Sequence, residues 1–158
     1  MIGKFKRAVS ILLAAILLSP SGWLAPAALA ETVTYHETFD SGLGVATKAG
    51  DVYLEPVSDV VFEGNDDGKA VYVSGRSEGW NGVDIPFSSV GMEDVRTYTV
   101  TAAVYVDAGV TVPEGAQALL QNVDSYNGLY VAADYAAGHA LKLTGTYTVD
   151  TEKDRALR

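Results

Sequence analysis

Apolar and polar side chains alternate strictly in two long segments in the second half of the chain. In residues 97–106, one face carries Tyr98, Val100, Ala102, Val104 and Val106. In residues 141–149, one face carries Leu141, Leu143, Tyr147 and Val149, with threonines and a lysine on the other. Side chains repeat every two residues along a β-strand, so this pattern predicts two strands, each with one buried face.

Six shorter segments rich in β-branched and aromatic residues are also predicted as strands, at residues 33–39, 51–57, 69–74, 83–87, 116–123 and 129–133. Gly, Asp and Asn turns separate them. Pro86 predicts an edge strand or a strand end, since proline cannot donate a ladder hydrogen bond. No convincing amphipathic helix is present. Eight short strands predict an all-β fold, an antiparallel β-sandwich with jelly-roll topology.

The first 30 residues have the pattern of a secretory signal peptide. Lys4, Lys6 and Arg7 precede an apolar run over residues 8–18, and Ala28-Leu29-Ala30 is a small-x-small cleavage site. We therefore expect residues 31–158 to be one exported domain, secreted by a bacterium. Residues 156–158 have the pattern of a further strand that is just beginning, which predicts that the sandwich lacks its last strands.

Charge and the absence of cysteine exclude several kinds of function. Removing residues 1–30 takes the net charge from −9 to −12, because three positive and no negative side chains leave. A domain this acidic is unsuited to bind nucleic acid or an anionic membrane surface. Without cysteine there is no disulfide, thiolate zinc site or thiol nucleophile.

Catalytic patterns in the sequence are weak. Residues 75–79 match G-x-S-x-G, but the Asn-Gly and Pro that follow do not form the helix that a nucleophile elbow requires. Two carboxylates acting on a glycosidic bond remain an alternative, since the chain is rich in Asp and Glu. Most of these acids lie in predicted turns. The acidic turn at residues 63–68 has calcium-like oxygen spacing but lacks the late Glu, so a hairpin turn is the better interpretation.

The most informative segment is residues 74–82, which read SGRSEGWNG. Trp80, the only tryptophan beyond residue 30, lies between glycines, where an indole is suited to stack on a sugar ring from a loop or groove wall. The alternative is that it caps the core. Tyr126 lies in a second turn context. Arg76 and Asn81 are candidates for hydrogen bonds at the rim, although Arg76 is equally able to pair with an acid.

These segments resemble a carbohydrate-binding module of family 22, in the wider family 4/9 group found in bacterial xylanases. The marks are residues 38–42 (TFDSG), 70–76 (AVYVSGR) with Trp80-Asn81-Gly82, 97–100 (TYTV) and 143–149 (LTGTYTV). The resemblance implies a non-catalytic jelly roll with a groove for xylan or β-glucan, a structural calcium ion and a linked glycoside hydrolase. By position, Trp80 and Tyr126 match groove aromatics.

Two hypotheses follow. The first is a secreted module that binds xylan or a related β-glucan and holds a linked hydrolase close to plant polysaccharide. The alternative is a structural β-sandwich that spaces or stabilises a larger extracellular protein and has no glycan affinity. Sugar binding requires an exposed indole, whereas the alternative does not.

Overall fold

The computed structural model describes residues 8–10, 35–126 and 128–158. Ten strands and one short helix occur in these residues. The strands are β1 (Ala8–Ser10), β2 (Thr47–Ala49), β3 (Tyr53–Val57), β4 (Ala70–Ser74), β5 (Gly82–Pro86), β6 (Thr97–Tyr105), β7 (Gln117–Gln121), β8 (Tyr130–Asp134), β9 (Ala140–Thr148) and β10 (Ala156–Leu157), and α1 is Phe87–Val90. The all-β prediction is confirmed.

All of the strand pairings are antiparallel, and most join strands that are not consecutive in sequence. On one side of the molecule, β1 and β3 flank β4, while β6 pairs with β9. On the other side, β2 and β10 flank β5, and β7 pairs with β8. Backbone hydrogen bonds in both directions between Gln121 and Arg158 connect β10 to the β7 side. The resulting order β2-β5-β10-β7-β8 is one layer of the sandwich.

One apolar core fills the space between the two layers. The predicted inward faces of residues 97–106 and 141–149 are confirmed, with Val100, Val106 and Leu143 fully buried. Val83 and Ile85 from β5, together with Leu120 from β7, supply the opposite wall. Burial of these aliphatic side chains is the main stabilising contribution to such a fold.

The outer face of β6 is also partly covered. Ala103 and Ala70 form a small second cluster with Val57 and Phe62, and the Phe62 ring stacks on Tyr105 with 5.3 Å between ring centroids. This covering comes from the end of β3, the start of β4 and the loop between them. It explains why both faces of β6 carry apolar residues near its middle.

The predicted strand at residues 33–39 is wrong over its described part, residues 35–39. The Glu37 carboxylate accepts hydrogen bonds from the backbone N–H groups of Phe39 and Val45, so it replaces ladder bonds with local ones. Phe39 adopts φ 57°, which no strand accommodates.

Strand β2 and helix α1 were not predicted. The strand predicted to begin at residue 156 is present as β10. Pro86 is the last residue of β5, which confirms the prediction of a strand end there.

Most of the predicted signal peptide lies outside the described residues. Only residues 8–10 of that segment are described, as the edge strand β1 paired with Tyr72–Ser74 of β4. Among the described residues, no helix has the length and apolar character needed to cross a membrane.

Candidate functional site

The loop between β4 and β5 is shaped by its own side chains. Asn81 is 2% exposed, and its Oδ1 accepts hydrogen bonds from the backbone N–H groups of Ser77 and Glu78 and from the Ser77 hydroxyl. The Arg76 guanidinium donates to the carbonyl of Gly79 at 2.6 Å. These bonds fold the loop tightly, so that Trp80 at its tip is turned outward.

Trp80 is 53% exposed and does not belong to the core cluster. One edge of its indole lies against Gly50, where an added Cβ would come within 2.7 Å of ring atoms Cζ3 and Cη2. Gly50 also has φ 71°, a conformation that favours glycine. The indole is therefore braced from behind while much of its surface faces solvent. This placement decides against the interpretation that Trp80 caps the core.

A buried ion pair lies beneath the indole. Arg158 donates from Nε and Nη2 to the two carboxylate oxygens of Asp84 at 2.7 and 3.0 Å, and both side chains are only 12–13% exposed. The guanidinium carbon is 5.6 Å from the centroid of the Trp80 ring, within cation–π range. Bidentate pairing fixes the plane of the guanidinium. Asp84 thus holds Arg158 in place against the indole.

Tyr126 approaches the same arginine from another loop. The hydrogen bonds from Arg158 to Asp84 raise the pKa of Arg158 most, and the nearby Tyr126 and Asp124 side chains, in their ionised forms, raise that pKa further. Tyr126 is 53% exposed and has φ 55°. The two aromatic residues predicted from sequence are therefore brought to the surroundings of one guanidinium, although they are 46 residues apart in the chain.

A buried carboxylate anchors the Tyr126 loop. Asp154 accepts hydrogen bonds from the Ser125 N–H at 2.8 Å, from the Ser125 hydroxyl at 2.7 Å and from the Tyr147 hydroxyl at 2.9 Å. Burial alone would raise the pKa of Asp154, but hydrogen bonds from Ser125, Asn122 and Tyr147 outweigh it and lower that pKa. The cluster ties the loop that precedes β8 to the residues that lead into β10.

The outer face of the β2-β5-β10-β7-β8 layer extends the site. Strand alternation places Leu119, Gln121 and Gln117 of β7 on this face with Tyr130 of β8, which is 61% exposed. The Gln117 amide donates to Asp134 at 3.0 Å. The face therefore presents aromatic and aliphatic surfaces with amides and carboxylates between them. We call it the aromatic face, defined by Trp80, Tyr126, Tyr130, Leu119 and Arg158.

The other two predicted site residues are placed differently. Asn81 is sealed within the loop and positions Trp80 by shaping the backbone. Arg76 is half-buried, burial lowers its pKa, and no ion pair to it occurs among the described residues. Its Nε is buried and has no hydrogen-bond partner in the described part of the chain. Sequence reasoning missed Arg158 and Asp84, since nothing local in the sequence links residues 74 positions apart.

The G-x-S-x-G pattern gains no support from the geometry. The Ser77 hydroxyl bonds to Asn81, and strand β5 follows the motif in place of a helix. Within the described ranges, no group of three or more His, Cys, Asp or Glu side chains is placed to hold a metal ion. Asn65 of the acidic turn is buried and donates to the Val60 carbonyl, as in a structural turn. The structural calcium ion that the resemblance implies stays a prediction.

A β-sandwich with an aromatic, polar-rimmed open face has the form of a carbohydrate-binding domain. Comparison with known proteins agrees: residues 32–158 match the family model described as "Carbohydrate binding domain", and the chain belongs to that family. This confirms the family 4/9 resemblance found in the sequence. The chain is 29% identical over 129 residues to endo-1,4-beta-xylanase A of Thermotoga maritima and 28% identical over 130 residues to that of Thermotoga neapolitana.

Each alignment covers 80% of this chain but only 12% of the xylanase. The similarity therefore concerns a small part of each enzyme. No solved structure matches the chain significantly.

Proposed function

We propose that the aromatic face binds xylan or a related β-glucan without cleaving it. The observation that carries the proposal is the Trp80 indole, exposed on one side and braced by Gly50 and Arg158 on the other. Sugar rings present C–H groups that pack on such a surface, while their hydroxyls require hydrogen-bonding partners at the rim. Gln117 and Asp134, both exposed, supply an amide and a carboxylate there.

The open shape of the face predicts weak binding. A shallow surface buries little of the ligand, so most of its contacts with the protein stay exposed to water. Contacts that are not desolvated contribute little to affinity. Weak binding is still useful when the module is joined to an enzyme that acts on the same polymer, because the linkage raises the effective substrate concentration. The relatives, named as endo-1,4-beta-xylanases, support xylan as the ligand and a glycoside hydrolase as the covalent neighbour.

Export is part of the same proposal, because a polysaccharide ligand lies outside the cell. It rests on the signal-peptide pattern in residues 1–30. N-terminal sequencing of the protein recovered from the culture medium should begin at Glu31. Retention of the uncleaved chain inside the cell would contradict this part of the proposal.

Binding is tested by affinity electrophoresis in gels containing soluble xylan or mixed-linkage β-glucan. We expect retardation of the wild-type chain and an affinity at least about tenfold weaker for Trp80→Ala, since a tryptophan contact of this kind contributes roughly 1.4 kcal/mol or more. The matched control is Tyr72→Ala, which removes an aromatic side chain from β4 in the opposite layer and should leave retardation unchanged.

Circular dichroism of both variants establishes that they are folded. If the folded wild type migrates equally with and without either glycan, the binding proposal is refuted and the structural spacer remains. If Trp80→Ala and Tyr72→Ala weaken binding equally, the ligand lies elsewhere on the molecule.

A further inference from the structure

Two short segments exchange aromatic rings at one edge of the aromatic face. The Trp80 indole, from the loop between β4 and β5, rests on Gly50 in the turn between β2 and β3. In return, the ring of Tyr53, the first residue of β3, rests on Gly75 at the start of the loop that carries the indole. A Cβ added at Gly75 would lie 2.6 Å from Tyr53 Cδ2. Both glycines have positive φ, 71° and 72°. Tyr53 is therefore braced in the same way as Trp80, by the same two segments.

The Tyr53 ring carries a cation at the protein surface. Tyr53 is 71% exposed, more than any other aromatic residue of the site. The Lys48 ammonium of β2 lies 5.6 Å from the centroid of this ring, within cation–π range. Because a ring quadrupole carries no net charge, the contact orients the ammonium without neutralising it. We call Lys48 and Tyr53 the lysine–tyrosine pair.

Lys48 has no acidic partner. Most Lys and Arg side chains in the described ranges form an ion pair with Asp or Glu. Within those ranges, Lys48 and Lys142 are the exposed cations that have no carboxylate at ion-pair distance. Acidic side chains outnumber basic ones by 20 to 11 in this chain. An exposed ammonium that none of these acids neutralises is available to an anionic group of a ligand.

The lysine–tyrosine pair lies within reach of a sugar that stacks on Trp80. Lys48 and Tyr53 are two and three residues from Gly50, the glycine against the indole. Their backbones are therefore at most about 7 Å and about 11 Å from it. This separation is comparable with one or two sugar rings of an extended chain. A branch on the sugar at Trp80, or on the next sugar, can reach the Lys48 ammonium.

We propose that the lysine–tyrosine pair binds a uronic acid branch of the polysaccharide that occupies the aromatic face. The inference rests on the proposed function and adds the substrate class, a xylan with acidic branches. The Lys48 ammonium donates charge-assisted hydrogen bonds to the carboxylate of the branch. The exposed part of the Tyr53 ring packs against C–H groups of the same sugar. Neutral sugars offer no anion, so the ammonium favours the acidic branch over them.

The charge of the rest of the domain restricts which acidic polymer fits. A polymer made only of uronic acids presents many carboxylates to a strongly acidic protein and is repelled. An isolated carboxylate on a neutral backbone interacts mainly with Lys48, because charges beyond about 8 Å are largely screened at physiological salt. The favoured ligand is therefore a neutral xylan chain with sparse acidic branches.

Isothermal titration calorimetry tests the inference with two ligands. One is soluble xylan with glucuronic acid branches, and the other is the same xylan after its carboxyl groups have been reduced to alcohols. We expect the wild type to bind the acidic form about threefold more tightly at low salt, a magnitude typical of an exposed ion pair. Lys48→Gln should abolish this preference and keep the affinity for the reduced xylan. Lys142→Gln removes an exposed lysine from β9 in the opposite layer and is the matched control, which should keep the preference.

The Tyr53 ring is tested separately. Tyr53→Phe keeps the ring face and should keep the preference for the acidic xylan. Tyr53→Ala removes the surface on which the ammonium and the branch rest and should reduce the preference. Equal losses in the two variants would contradict a role for the ring.

The outcomes separate this inference from the proposed function. Equal affinity of the wild type for the two xylans, or an undiminished preference in Lys48→Gln, overturns the inference and leaves sugar binding at Trp80 intact. Binding of polygalacturonate as tightly as the acidic xylan also overturns it, because that polymer has carboxylates but no xylan chain. Binding to neither xylan refutes the proposed function, and this inference with it.

Discussion

Replacing Tyr147 with Phe removes one hydroxyl from the buried cluster that holds the Tyr126 loop. The Tyr147 ring is 2% exposed and packs against Phe87, with 5.8 Å between ring centroids, and Phe retains this packing. What is lost is the hydrogen bond to the Asp154 carboxylate at 2.9 Å, together with a longer one at 3.4 Å in which the hydroxyl accepts from the Asp150 N–H. Hydrogen bonds to charged groups contribute about 1.5–3 kcal/mol, so we expect the free energy of unfolding to fall by about 2 kcal/mol at pH 7.

The pH dependence of this difference identifies the cluster as its cause. The lowered pKa of Asp154 means that its stabilising contribution is present above about pH 4 and is lost as pH falls through the folded-state pKa. Burial, followed by the hydrogen bond to Asp154, raises the pKa of Tyr147 to about 12 from 10.0. The wild type therefore loses about 1.4 kcal/mol for each pH unit between 10 and 12, and the variant does not.

Urea denaturation followed by circular dichroism at pH 3, 7 and 11 measures these differences. The destabilisation by Tyr147→Phe should be largest at pH 7 and smaller at both extremes. The control is Tyr98→Phe, because the similarly buried Tyr98 hydroxyl accepts a bond from the neutral Glu93 N–H and its loss should cost about 1 kcal/mol. A difference that is constant across pH, or no larger than that of Tyr98→Phe at pH 7, would refute the reasoning.

Two further predictions concern core packing. Gly145→Ala should destabilise the fold by about 1–3 kcal/mol, because its Cβ would lie 2.5 Å from Leu129 Cδ1 and 2.6 Å from Val131 Cγ2; Gly79→Ala, with open space around its Cβ, is the control, and equal urea midpoints for the two variants would contradict the prediction. Leu143→Ala should lower the free energy of unfolding by about 2–5 kcal/mol and enlarge the cavity that Leu143 lines with Ala102 and Val104; a loss below about 1 kcal/mol in urea denaturation would show that the site collapses around the missing side chain.

The positions of most strands in this protein can be predicted from residues that are near neighbours in the sequence. Alternation in residues 97–106 and 141–149 was sufficient to identify β6 and β9 and their buried faces, because the period of a strand is written directly in the sequence. The six shorter segments were less secure, and residues 35–39 show why. There a single carboxylate, Glu37, captures backbone donors that a strand would have used, and side-chain composition does not reveal such a bond.

The candidate site was predicted in part. Glycines around Trp80 indicated an exposed indole, and the turn around Tyr126 indicated a second surface aromatic, because both signals depend on near neighbours in the chain. Asn81 has the same local signals, yet its carbonyl oxygen is turned inward to three donors of its own loop. Local composition places a residue in a turn, but it does not determine whether that side chain faces solvent or backbone.

By itself the sequence determined most of the strands, the inward faces of the two longest, the acidic charge and the family. Only the tertiary structure decided that Trp80, Arg158 and Tyr126 share one face. The physical reason is that strand pairing in a sandwich joins residues far apart in the chain. The Asp84–Arg158 pair and the aromatic face therefore exist only after β5, β7 and β10 have come together.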